Sequence, residues 1–346
     1  MTLPPSPPPG GRPTSWLALD IGGANLKAAD GTGWSHSEPF ALWREWQRLS
    51  TVIAGIVSRR PAQRLAGTMT GEIADCFATR GEGVRHIITS CVEAATGQPL
   101  CFYSLTGRLI TADDAIADPL RVAAANWHAL ARLAGRLVPA GRGLLVDIGS
   151  TTTDLVPLLD GQPAARFWTD WDRLAGGELL YLGVERAPVP AVVRSLPHRG
   201  IRRPVAAEWF ATVRDAWLTL GRLPERAEDC DTADGGPATR EAARIRLART
   251  MLLDPADFDP GDAAAAAGRI AAVERRRLAA AISRHLPAGV AGFPVVVSGH
   301  GQFLAEEVLT GLGCRVEAIS LSDQLGPAVS RVGPAHALAL IARGFL

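Results

Sequence analysis

Apolar and polar positions along the chain fall into blocks that switch between a strand period and a helix period. Trp16-Leu17-Ala18-Leu19-Asp20 reads as a buried strand, Gly22-Gly23 as a tight turn, Asn25 to Ala29 as a returning strand and Gly33 to Phe40 as a third. A helical pattern runs from Leu42 to Ser58. Arg64 to Thr70 predicts a short strand, and Gly71-Glu72 the opening of a helix. Leu100 to Ser104 predicts another strand, with a polar turn at Asp113-Asp114. Pro119 suits a helix start, and apolar positions continue to Leu137.

After the loop Gly141-Arg142-Gly143, the run Leu144 to Asp147 stops at a glycine. Ser150-Thr151-Thr152-Thr153-Asp154 follows, then a strand from Leu155 to Leu159. Strand, turn and strand with an aspartate at the first strand's end thus occur twice, at Asp20 and at Asp147. The middle, Trp168 to Pro237, mixes loops with helices such as Ala206 to Leu220. Ala238 to Leu252 and Ala263 to His285 are strongly helical. Pro294 to Gly301 predicts a buried strand entering a glycine-rich turn, Arg315 to Leu321 the last strand, and Gly326 to Phe345 the closing helix. The organisation expected is a disordered Pro-rich tail over 1–14, a domain over 15–138 with the first hairpin, and a domain over 139–346 with the second hairpin and a helical insertion.

Composition narrows the class. The 36 basic and 35 acidic residues leave a net charge of +1, which argues against nucleic-acid or membrane-surface binding driven by bulk charge. No apolar run reaches the roughly 18 residues that a membrane span needs. Five cysteines without a C-x-x-C pair read as reduced thiols of a cytoplasmic protein. Lys27 is the one lysine, and Asn25 and Asn126 are the two asparagines. Two of these three rare residues lie in Asp20-Ile21-Gly22-Gly23-Ala24-Asn25-Leu26-Lys27, which marks that hairpin for function.

A glycine-rich hairpin tip presents backbone N–H groups to an anion, and small residues let a phosphate approach closely. An aspartate at the strand end can hold a divalent cation or its waters, which bridge to the phosphates. Asp20 with Gly22 and Gly23, and Asp147 with Gly149, Ser150, Thr151 and Thr152, form two such tips. The turn Ser298 to Gly301, with Gly299, His300 and Gly301, would be a third and complete a cleft between two domains. The pair of aspartates is the expected Mg²⁺ site.

This arrangement resembles the actin-like ATPase superfamily, and Asp147-Ile148-Gly149-Ser150-Thr151-Thr152-Thr153-Asp154 is close to its hydantoinase/oxoprolinase form. The segments Gly67 to Phe77, Ala125 to Ala129, Gly176 to Tyr181 and Thr232 to Gly235 are similar to the tetrahydromethanopterin-linked C1 transfer pathway protein family. The resemblance implies an α/β fold, a duplicated ribonuclease H-like arrangement of two domains around a cleft. It also implies a transferase of methanofuran biosynthesis, joining an aminomethyl-furanylmethyl diphosphate to γ-glutamyltyramine with release of pyrophosphate. Its expected partners are those small molecules, with no nucleic acid and no membrane; a homodimer is compatible with the sequence. The alternatives are an ATP-dependent kinase or hydantoinase-type ATPase of the same superfamily, and a non-catalytic assembly subunit.

Within that chemistry the hairpin N–H groups, Lys27 and an aspartate-held Mg²⁺ would neutralise the leaving pyrophosphate. Glu72 would take the phenol proton, or simply complement a helix start. Trp168 and Trp171 offer aromatic faces, or interface packing. Asn126, expected in mid-helix, contacts either a ligand or a neighbouring loop. Gly177 and Glu178 suggest a helix N-terminus that suits an anion, or a packing turn. His300 either lines the cleft or bonds within its loop, and its bulk there favours a diphosphate smaller than ATP. The arginines of helix faces such as Arg240, Arg244 and Arg249 are expected to be solvated.

Overall fold

Alternating and continuous apolar runs become strands in the computed structural model, which describes residues 15–288, 290–313 and 316–346. The expected tail over 1–14 lies outside the described residues. In the first sheet, β1 (Trp16–Ile21), β2 (Asn25–Ala29) and β3 (Ser35–Pro39) form an antiparallel meander. β4 (Arg64–Met69) runs parallel to β1, β5 (Leu100–Tyr103) parallel to β4, and β6 (Leu109–Thr111) antiparallel to β5. Every residue of β1 after Trp16 is buried, as a strand flanked on both sides and covered on both faces requires.

The second sheet is built from β7 (Arg142–Ile148), β8 (Thr153–Leu159), β9 (Gln162–Pro163) and β10 (Leu179–Leu180), with a ribbon of β11 (Ser195–His198) and β12 (Ile201–Pro204) standing apart. β13 (Phe293–Ser298) and β14 (Val316–Ser320) complete it. The first sheet is ordered β3-β2-β1-β4-β5-β6 and the second β10-β8-β7-β13-β14. Leaving β6 and β9 aside, both read third, second, first, fourth, fifth. The repeated hairpin in the sequence is therefore the visible part of a repeated sheet, and the chain has the duplicated α/β fold of the actin-like ATPases.

Contacts divide the chain into two units, but not by one cut near residue 138. Residues 139–145, 156–173 and 319–346 group with the N-terminal unit, and 146–155 with 174–318 form the other. The reason is the closing segment: the helix Gly333–Ala342 packs on β1, β2, β4 and the helix Asn126–Gly135. The expected single closing helix is two, Pro327–Arg331 and Gly333–Ala342.

Other expectations are corrected by local geometry. Asp113 and Asp114 are not a turn but the first turn of the helix Ala112–Ala117, capped by the Thr111 side chain. Pro119 starts only a three-residue 3₁₀ turn, and Ala124 sits at φ +47°. That left-handed residue interrupts the apolar stretch, so Asn126 opens the next helix instead of lying inside it. The second unit includes the helices Val213–Thr219, Arg240–Thr250 and Pro260–Ser283.

The first two of these helices share an ion network with Asp234. Arg246, fully buried, lies 2.8 Å from Asp215 and 3.0 Å from Asp234, and Arg249 lies 2.8 Å from Asp234. Asp234 is thus structural. Arg244 is also not merely solvated, because it donates to the carbonyls of Pro255 and Phe258.

Glu274, on the helix Pro260–Ser283, is fully buried, and burial pushes its carboxyl up to about 8 despite the Trp217 indole, Arg277 and Arg275. The folded state holds this proton where the unfolded chain, near 4.5, has lost it. Stability should therefore fall as pH rises from about 4.5 to about 8 and then level off. Glu274→Gln is expected to raise the thermal midpoint by several degrees at pH 8 and by much less at pH 5, measured by calorimetry across that range.

Candidate functional site

The first hairpin is set by its glycine, and its strand register places a lysine opposite an aspartate. Gly22 N–H donates to the Asn25 carbonyl at 3.0 Å, and a Cβ on Gly22 would lie 2.8 Å from that oxygen. Gly23 has open space around it, and its carbonyl accepts from Leu42 N–H at 3.0 Å. Asp20 stands in register with Lys27 on β2 and with Thr68 on β4. Asp20 is buried, with 3% of its surface exposed, and desolvation raises its pKa; Lys27 and a hydrogen bond from Asn126 act against that rise. Among the described residues, Asp20 Oδ1 and the buried Thr68 hydroxyl have no hydrogen-bond partner.

Lys27 is half-buried and Asn25 precedes it by two residues on the same strand face. Asn126 reaches Asp20 because it begins its helix, where its side chain is free of the helical ladder. Sequence reasoning gathered Asp20, Lys27, Asn25 and Asn126 but missed Thr68. Its only signal was its place in Gly67 to Phe77, on the strand beside β1.

The second hairpin repeats the first at atomic detail. Gly149 N–H donates to the Thr152 carbonyl at 2.8 Å, with the same spacing as Gly22 and Asn25. In that alignment Asp147 takes the place of Asp20, and Asp154 the place of Lys27. The carbonyls of Gly149 and Ser150 accept from the N–H groups of Val184, Glu185 and Arg186, which packs the tip against the chain after β10. Ser298 donates to Asp147 at 2.5 Å, a contact the sequence did not reveal. Gly299 is at φ +90°, and a Cβ there would lie 2.3 Å from the Ile148 carbonyl oxygen and 2.6 Å from Asp147 Oδ1. Gly301 N–H donates to Ile148 at 2.8 Å. The Gly299–Gly301 turn thus closes on the second hairpin. His300 bonds outside its own turn, with Nδ1 3.1 Å from Glu185 Oε1.

Glu72 lies in a 3₁₀ turn, Gly71–Ile73, and the following helix begins only at Arg80. Gly71 packs against Gly22, to which a Cβ would approach within 3.2 Å, so the turn sits on the first hairpin. Glu72 is 1% exposed, and burial raises its pKa against the Arg80 hydrogen bond and charge. Arg80 Nη2 holds Glu72 Oε1 at 2.9 Å, whereas Oε2 has no hydrogen-bond partner among the described residues.

Gly177 and Glu178 are not at a helix N-terminus. The helix Asp170–Gly176 ends there, and Gly177 at φ +79° is its left-handed stop. A helix end presents carbonyls, which repel an anion, so the phosphate role expected of this glycine is withdrawn. Glu178 is buried and its carbonyl accepts from Leu155 N–H, beside β8.

Trp168 is half-exposed, and its ring centroid lies 5.6 Å from His128 and 6.2 Å from Trp127. The Arg173 guanidinium sits 4.0 Å from the Trp127 ring. Burial lowers the His128 pKa to about 4, with Arg132 and Arg173 adding to the shift, so the imidazole is neutral at pH 7. Trp171 is 78% exposed and belongs to no such cluster.

A Mg²⁺ ion finds hard oxygen donors at either aspartate, and the buried Asp20 Oδ1 lacks a partner. Among the described residues no three His, Cys, Asp or Glu side chains converge on one point. Mg²⁺ is commonly bound by one or two carboxylates, with water and substrate phosphate filling the rest of its shell. No helix among the described residues is long and apolar enough to cross a membrane.

Comparison with known proteins adds the context. The family described as hydantoinase/oxoprolinase matches residues 65–330. A protein of Methanocaldococcus jannaschii named (4-{4-[2-(γ-L-glutamylamino)ethyl]phenoxymethyl}furan-2-yl)methanamine synthase is 34% identical over 241 residues, covering 69% of this chain and 72% of that one. A protein of the same name from Methanococcus vannielii is 38% identical over 111 residues, 32% of this chain and 50% of that one. Among solved structures, a ROK family glucokinase from Streptomyces griseus, in complex with glucose and AMPPNP, aligns with a TM-score of 0.46 at 13% identity, over 93% of this chain and 98% of that one. An archaeal actin homolog aligns with a TM-score of 0.44 at 13% identity, over 95% and 99%.

The hydrogen bond from Asn126 lowers the Asp20 pKa, so Asn126→Ala is expected to raise it. Carboxyl carbon NMR of aspartate-labelled protein checks this, with an upward shift of the Asp20 titration as the expected result.

Proposed function

This chain belongs to the hydantoinase/oxoprolinase family, and we propose that it is a synthase of methanofuran biosynthesis. In this reading it couples a γ-glutamyltyramine-type phenol to an aminomethyl-furanylmethyl diphosphate and releases pyrophosphate, a transferase reaction. The observation that carries it is the 34% identity, across 72% of its length, to a synthase whose product is named as a phenoxymethyl-furan. That name describes an aryl ether on a furanylmethyl carbon.

The chemistry of the residues supports the reading. The phenol oxygen attacks the furanylmethyl carbon while the bond from that carbon to the diphosphate oxygen breaks. Its electron pair leaves with pyrophosphate, and the phenol proton passes to a base. The furan ring spreads the positive charge that develops on the carbon, so the barrier depends on neutralising the leaving group, aligning the phenol and excluding water. Glu72 is the proton acceptor in this scheme: it is buried, and Oε2 is free of protein partners.

Lys27 supplies positive charge to phosphate, and Gly22, Gly23, Asn25 and Gly149–Thr152 offer close backbone and side-chain contact. Gly299, His300 and Gly301 support the second hairpin in this reading. Asp20 and Asp147 would hold Mg²⁺, which when bound supplies further positive charge to the phosphate oxygens. Trp168, packed on His128, offers an aromatic face to the ring of either substrate.

Incubating the purified protein with γ-glutamyltyramine, the furanylmethyl diphosphate and Mg²⁺ tests the proposal. The ether and pyrophosphate should form in equal amounts, and Glu72→Gln should lower kcat by about 10²-fold or more. Formation of neither product overturns the reading, and ADP released from ATP instead would favour the kinase alternative.

A further inference from the structure

Arg80 is an unexpected residue where it stands. It is the first residue of the helix Arg80–Ala95, where a cation opposes the positive end of the helix dipole. The helix nevertheless brings it close to Glu72. At Gly83 a Cβ would lie 2.2 Å from the Glu72 carbonyl oxygen, so only glycine lets the helix and the 3₁₀ turn meet. A single guanidinium nitrogen, Nη2, then lies 2.9 Å from Glu72 Oε1 and 2.9 Å from Asp170 Oδ2. Asp170 opens the short helix two residues after Trp168 and three before Arg173. The arginine therefore ties the buried carboxylate to the segment that carries the aromatic cluster.

We propose that Arg80 is a positioning residue, shared between two carboxylates so that it fixes Glu72 by Oε1 while Asp170 prevents it from neutralising Glu72 fully. Oε2 is left as the oxygen that takes the proton. This rests on the reading of Glu72 as proton acceptor. An arginine committed to Glu72 alone would hold it as a weak base; without any arginine, burial would keep the carboxyl protonated and unable to accept a proton. The charged groups acting on Glu72 are Arg80 from its helix, which lowers its pKa, and Asp170 from the other side, which raises it.

The two partners thus move Glu72 in opposite directions, whereas a merely structural bridge would give the same loss from either side. Glu72 is followed by carboxyl carbon NMR, its signal identified by its disappearance in Glu72→Gln, alongside the pH dependence of kcat for ether formation. Arg80→Met should move the Glu72 titration upward by about one pH unit or more, and Asp170→Asn should move it downward. The acid limb of the kcat profile should follow in each case. Asp170→Asn keeps the Arg80–Glu72 pair, so it decides the matter even if Arg80→Met does not fold. An unmoved or upward-moved titration in Asp170→Asn overturns the proposal. Opposite shifts in a protein whose Glu72→Gln variant keeps full activity would support the sharing of Arg80 and overturn the role of Glu72 as proton acceptor.

Discussion

Taking a carboxylate out of water is costly unless a charge or hydrogen bonds replace the lost hydration. The first unit does this at two neighbouring points, Asp20 and Glu72. At each, one oxygen is held by the protein and the other has no protein partner. Both pKa values rise, with desolvation as the largest cause. In the proposed reaction the unpartnered oxygen of Asp20 would meet a phosphate-bound cation and that of Glu72 a phenol proton.

The duplicated sheet explains why the two hairpins look alike, and the differences between them matter more than the likeness. Asp20 faces Lys27 across the strand pair. The equivalent place beside Asp147 holds Asp154, and Asp147 is engaged by Ser298. The first turn combines a cation with one carboxylate, whereas the second combines two carboxylates with hydroxyls. The two turns share the same backbone hydrogen bond but differ in charge: an aspartate facing a lysine in the first, two aspartates in the second.

Much of this was legible locally. β1 and β2 follow from an apolar run broken by glycine, and the register of Lys27 opposite Asp20 follows from a tight turn. The rest depended on partners distant in sequence. A Gly-Gly pair marks a helix end without saying which end, and only the left-handed Gly177 decides it. Asn126 read as mid-helix because nothing in an alanine-rich stretch announces the left-handed Ala124 before it. Arg80 gave no signal, since Asp170 is 90 residues away. Ser298 was marked only as the start of a glycine-rich turn, because its partner Asp147 lies 151 residues away.

In the proposed reaction the lone lysine makes the first hairpin a diphosphate site. Titration calorimetry with pyrophosphate and Mg²⁺ tests it most directly, comparing the native protein with Lys27→Met. Affinity should fall by about tenfold or more in Lys27→Met, in line with the loss of a charge-assisted hydrogen bond. Equal affinity in the two proteins would contradict it.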